Sequence, residues 1–212
     1  MKFGLSAWAL ASVIFLASVS HAADANIAAS STRSTFQLIA NPTFLNCLSG
    51  SGTPAATVTV VKGKLNDTLT LKVRHIRPKL AFDLFTVQNS PFLSDGTANG
   101  LFPGNFGLAW YQSDIQANAA GNATVTIHTI LVNQIFGFDA GTGLAPVNTF
   151  NVGFWFNDPA DAASCGFVGT TPFNGEHMAG PLAMISGADI TTGLGPLCLD
   201  PNTGTVPASC NP

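Results

Sequence analysis

The stretch ATVTVVKGKLNDTLTLKVRHI, residues 56–76, decides the fold. Its first part, ATVTVV (56–61), alternates and is rich in β-branched residues. Its last part, TLTLKVRHI (68–76), puts Leu69, Leu71, Val73 and His75 on one face and Thr70, Lys72 and Arg74 on the other. A period of two is the mark of a half-buried strand. The KGKLND between them supplies Gly, Asn and Asp, the residues a tight turn needs. Residues 56–76 therefore read as a β-hairpin.

The same pattern continues outward. LAFDLFTVQ (80–88) is apolar on both faces, as a central strand is. FGLAWYQSDI (106–115) and ATVTIHTILV (123–132) flank QANAAGN, which reads as a hairpin loop. TFNVGFWFN (149–157) lines Phe150, Val152, Phe154 and Phe156 on one face, and GPLAMIS (180–186) is a last strand. One short helix is expected after Asn157: Asp158 caps, Pro159 takes the first helical position and Gly166 terminates. Strands of this length, punctuated by Gly, Asn and Pro, define a single antiparallel β-sandwich, jelly-roll or immunoglobulin-like. We place the sandwich at 56–188, an N-terminal arm at 23–55 and a Gly- and Pro-rich tail at 189–212.

The first residues set the compartment. Lys2, a short apolar run and the Ser20–His21–Ala22 small-x-small pattern read as a signal peptide over 1–22. The apolar run is too short for a membrane span. A secreted protein is expected, extracellular or periplasmic, without stable membrane insertion. About 190 residues remain after cleavage, which suits one domain. All four cysteines, Cys47, Cys165, Cys198 and Cys210, follow the signal. An even count in an exported chain without C-x-x-C spacing argues for disulfides over a metal site. Three pairings are open; Cys47–Cys165, pinning the arm, and Cys198–Cys210, tying off the tail, are favoured.

Charged residues are 9% of the chain, against about 25% in an average soluble protein. The surface must be built from Thr, Ser, Asn, Gln and Gly. Weak charge repulsion leaves self-association open. The acidic net charge of −3 argues against a nucleic-acid partner.

Catalytic signatures are missing. There is no G-x-S-x-G, no H-E-x-x-H and no phosphate-binding glycine loop. We assign no catalytic residue, no metal ligand and no cofactor. Four places could bind. Lys72, Arg74, Arg77 and Lys79 form a basic cluster, either a solvated face or an anion site. Tyr111 and Trp155 fall at outward parities and offer flat rings to a sugar. The long loop 89–105 is the kind of segment where binding resides on a rigid sandwich. TPFNGEHMAG (171–180) holds Glu176, the only glutamate of the chain, beside His177. These two are either a loop clasp or a ligand site.

WFNDPADAASCG and TPFNGEHMAG, with FGLAWYQSDI before them, resemble a group of exported bacterial hypothetical proteins. That resemblance implies export and gives no mechanism. The leading expectation is a non-enzymatic exported protein, a polysaccharide- or surface-binding module or a structural envelope protein. The alternative is a metal-dependent secreted enzyme. It would use His177 and Glu176, or copper at an N-terminal His21 resembling the histidine brace of lytic polysaccharide monooxygenases. The residues after His21 do not resemble that family.

Overall fold

The computed structural model describes residues 33–130, 137–139, 144–147, 149–171, 177–197, 201–202 and 209–210. The expected signal peptide, His21, Glu176 and Cys198 lie outside them, and with Cys198 the expected Cys198–Cys210 pair. The strands are β1 (Arg33–Ala40), β2 (Ala55–Val61), β3 (Asp67–Arg74), β4 (Ala81–Val87), β5 (Ala109–Gln116), β6 (Ala123–Ile130), β7 (Gly137–Asp139), β8 (Leu144–Val147), β9 (Asn151–Phe156), β10 (Leu182–Ser186), β11 (Pro201–Asn202) and β12 (Ser209–Cys210). Eight of them form one antiparallel sheet in the order β5-β4-β9-β10-β1-β2-β3-β6. The sheet wraps round its core until β5 and β6, its two ends, approach each other. The result is the expected all-β antiparallel fold, realised as a nearly closed, sandwich-like barrel. Two small ladders, β7–β8 and β11–β12, stand apart from it.

Alternation fills the interior. Val58 and Val60 of β2, Leu69, Leu71 and Val73 of β3, and Phe154 and Phe156 of β9 all point inward. Phe82 of β4 meets Phe154 and Phe156 with ring centres 4.9 and 5.3 Å apart. Each such side chain contributes about 2–3 kcal/mol by leaving water.

Several local expectations need correcting. The segment read as an arm contains β1, an interior strand paired with β10 on one side and β2 on the other. Its Phe36 and Leu38 join the core, but the Ser- and Thr-rich start hides the alternation. The same segment holds a second short helical stretch, a 3-10 turn at Pro42–Phe44 running into α1 (Leu45–Leu48). The strands flanking QANAAGN are not a ladder: β5 bonds to β4 and β6 to β3, so their connection crosses the seam. His75 does not continue the core face. Its backbone turns left-handed, φ 60°, so His75 is exposed and Ile76 is buried instead. The tail is not separate either. Leu197 is fully buried and its N–H donates to the Phe150 carbonyl at 3.0 Å.

The expected helix forms as a 3-10 helix, Pro159–Cys165, with the expected cap. The Asp158 side chain accepts from the Ala160 N–H, Pro159 starts the turn and Gly166 ends it at φ 86°. It carries Cys165 to Cys47 of α1, and the expected disulfide joins them.

Candidate functional site

The outer face of β4, β9 and β10 is not open to water. Val87, Trp155, Leu182 and Ile185 form a second apolar cluster there, packed against Phe85, Phe92 and Phe106. Loop 88–108 supplies Phe92 and Phe106. Trp155 lies outward, as its parity requires, but is 7% exposed; it offers no free ring face. Tyr111 is 41% exposed and meets Phe85 edge-on at 5.7 Å. Phe85 meets Trp155 at 5.4 Å, Trp155 meets Phe106 at 5.0 Å, and Phe106 meets Phe102 at 5.5 Å. An aromatic row thus runs from the edge strand β5 under the loop to Phe102.

A bulge shapes the polar end of this face. Leu84 pairs with Ser113 and Phe85 with Tyr111, so Gln112 is extra. Tyr111 and Asp114, three residues apart, therefore share a face. The Tyr111 hydroxyl donates to Asp114 at 2.7 Å. Opposite Asp114 stands Asp83, fully buried. Its Oδ1 accepts from the Asn157 amide at 2.8 Å, and its Oδ2 lies 3.0 Å from His177 Nε2. The His177 ring therefore stands within ion-pair distance of the buried Asp83 carboxylate. His177 thus clasps its loop to the barrel. Sequence parity could not find Asp83, because a carboxylate in LAFDLFTVQ gave no sign of its partner 94 positions away.

The basic residues differ in what engages them. Arg77 donates to the Asp161 carboxylate at 2.9 Å and to its carbonyl at 3.1 Å. Lys72 and Arg74 stand exposed on the outer face of β3, and Lys79 occupies the turn before β4 with φ 67°. Among the described residues, no three His, Cys, Asp or Glu side chains converge as metal ligands.

A cavity lies elsewhere, at the end of the barrel between loop 88–103 and the start of the tail. The loop is fastened there by Ser94 N–H to Ala188 O at 2.7 Å and Ala188 N–H to Phe92 O at 3.0 Å. Gly187 lets the chains touch: a Cβ there would lie 2.3 Å from the Leu93 carbonyl oxygen. The space enclosed is about 320 Å³, within the range of small-molecule sites. Its floor is a buried neutral network. Asn151 donates to the Gln88 carbonyl at 3.0 Å and accepts from Ser186 at 3.0 Å, and Gln88 Oε1 accepts from the Leu108 N–H at 2.7 Å. Asn99 in the wall donates to the Ser90 carbonyl at 2.9 Å. Phe102 brings the aromatic row to the wall, and Leu101 and Ile190 stand at its edge, 87% and 61% exposed. Asp189 closes the site; three donors hold its carboxyl below the usual range, the Thr192 backbone N–H foremost.

The length of the loop singled it out in the sequence, and the structure places it in the wall of this cavity. Its partner was not singled out, because residues 188–193 read as the start of a tail. Comparison of the chain with protein-family models, with curated proteins and with solved structures finds no match. What fold and cavity define is a class: an antiparallel β-barrel with a polar pocket at one end. Among the described residues, no helix is long and apolar enough to cross a membrane.

Proposed function

We propose that the protein is an exported, non-catalytic module that binds carbohydrate through the end pocket. One observation carries this: the pocket is walled by amide and hydroxyl groups and edged by exposed Leu101 and Ile190. A sugar ring has that same pairing of hydroxyls and apolar C–H faces, and sites for neutral ligands combine apolar walls with a few placed polar groups. The rigid floor of Gln88, Asn151 and Ser186 favours a preformed site, which lowers the entropic cost of binding.

Export belongs to the same proposal. The signal-like segment 1–22, the resemblance to exported bacterial proteins and the Cys47–Cys165 disulfide support it, since such bonds persist in oxidising compartments. Mass measurement of the protein recovered from the medium or periplasm checks the processed N-terminus.

Gly100 provides the test. A side chain there has open space, with nothing within 4 Å of its Cβ. Gly100→Trp should leave the melting temperature unchanged and abolish binding on an array of polysaccharides. Binding that survives the substitution places the ligand elsewhere. Failure of the wild type to bind any glycan overturns the reading and leaves the structural envelope role.

A further inference from the structure

We propose that the end pocket excludes anionic sugars and takes others by their adjacent hydroxyls, with Asp189 as the selecting acceptor. This rests on the carbohydrate reading above and adds the charge class of the ligand and the residue that sets it.

Charge comes first. Among the described residues, Asp189 is the single ionisable residue in the lining, and no Lys, Arg or His faces the cavity. A negative pocket without a cation repels uronate, sulfate and phosphate groups. Asp189 is also held in place. Its Oδ1 accepts from the Thr191 N–H at 2.9 Å, the Thr192 N–H at 2.8 Å and the Thr192 hydroxyl at 3.0 Å. All of its described hydrogen bonds converge on that one oxygen. The other, Oδ2, keeps its lone pairs for a ligand. An aspartate is ionised at neutral pH, and these donors lower its carboxyl further; hydrogen bonds to an ionised acceptor are roughly twice as strong as neutral ones. A carboxylate oxygen can take two O–H donors, which is what adjacent ring hydroxyls present.

The remaining lining fits a neutral partner. Asn89 uses its amide N–H on the Asn105 carbonyl at 3.2 Å, leaving its oxygen as a further acceptor. The Thr191 hydroxyl, in none of the described hydrogen bonds, can donate or accept. Leu101 and Ile190 cover an apolar ring face. A metal cation would need more anionic ligands than one carboxylate, and among the described residues no such group exists.

The experiment uses the full exported chain, its Asp189→Asn and its Gly100→Trp variants. Each is assayed against neutral hexose glycans, glucuronate-bearing glycans and amino-sugar polymers. Asparagine can still accept the Thr191 and Thr192 N–H bonds, so the loop should hold. The expected result is wild-type binding to neutral glycans and none to glucuronate-bearing ones, weakened at least tenfold by Asp189→Asn and lost in Gly100→Trp. Neutral binding that Gly100→Trp abolishes but Asp189→Asn leaves intact overturns this inference alone. Preference for glucuronate, or amino-sugar binding that Asp189→Asn leaves intact, also overturns it while keeping the pocket as the site. Absence of all glycan binding overturns both proposals together.

Discussion

The two halves of the sheet obey different rules. On β1, β2, β3 and β6 the inner face is apolar and the outer face is open. Thr35, Thr59, Thr70 and Thr126 line up across these four strands, opposite one another in register. On β4, β9 and β10 both faces are buried, the outer one under loop 88–108 and residues around Ala179. The first half spends its outward positions on water. The second turns them into a second core that carries the loops, and through the loops the pocket. An outward position in a strand is a surface position only where nothing lies above it.

Four measurements can break or sharpen that contrast, taken in order of expected effect. The disulfide comes first, since it ties α1, which follows β1, to the helix that follows β9, and so joins the halves. It closes a loop of 118 residues, for which chain entropy gives about 4–5 kcal/mol. Urea unfolding of the Cys47→Ser, Cys165→Ser double variant should lose most of that. A loss near zero would mean the halves hold each other without the staple.

Trp155→Ala should cost about 4 kcal/mol, as for other large buried aromatics, whereas Thr59→Ala on the open half should cost about 0.5 kcal/mol. Equal costs in chemical denaturation would erase the distinction between the halves. Asp83→Ala should cost about 3 kcal/mol, because Asn157 loses its acceptor and His177 its ion-pair partner in a water-poor site. His177→Ala should cost less, about 1 kcal/mol, since that ring keeps contact with solvent. The reverse order would show that the imidazole, rather than the carboxylate, anchors the loop.

The smallest effect is one of pH. Asp95 is held below the usual carboxylate range by the Thr97 hydroxyl and N–H, and Asp189 by the Thr192 and Thr191 N–H groups and the Thr192 hydroxyl. A depressed carboxyl contributes stability above its unfolded value, about 3.9, and loses it as pH falls through the lower folded value. Both loops are exposed, so the change should be small. Amide exchange at residues 95–97 and 189–194 should accelerate relative to the β-strands on acidification below about pH 4. Unchanged relative protection would show that the loop backbones stand without their carboxylates.

Most of the fold was readable because its period was readable. Residues 56–76 alternate cleanly, and Asp158, Pro159 and Gly166 mark a helix by local chemistry alone. What was missed depends on partners far along the chain. The strand Arg33–Ala40 begins with Arg, Ser and Thr, and only pairing with β2 and β10 makes it interior. Trp155 is buried by Phe85 and Phe106, neither near it in sequence. Arg77 is engaged by Asp161, 84 positions on. The bulge at Gln112 reverses the parity that set Tyr111 apart from Asp114. Half of the pocket, loop 89–105, was legible by its length; the other half became visible only once Ala188 was bonded to Phe92.

The approach of β5 to β6 has a consequence for how this chain avoids its own kind. A sheet normally ends in two rows of bare amides and carbonyls, templates on which a second chain can add and begin an aggregate. Most proteins guard those rows with charge, and this one has little to spare. Bringing its two terminal strands close together, joined by the 117–122 turn, leaves less room for a second chain to add at either row. Geometry here takes the protective role that lysines and glutamates play elsewhere.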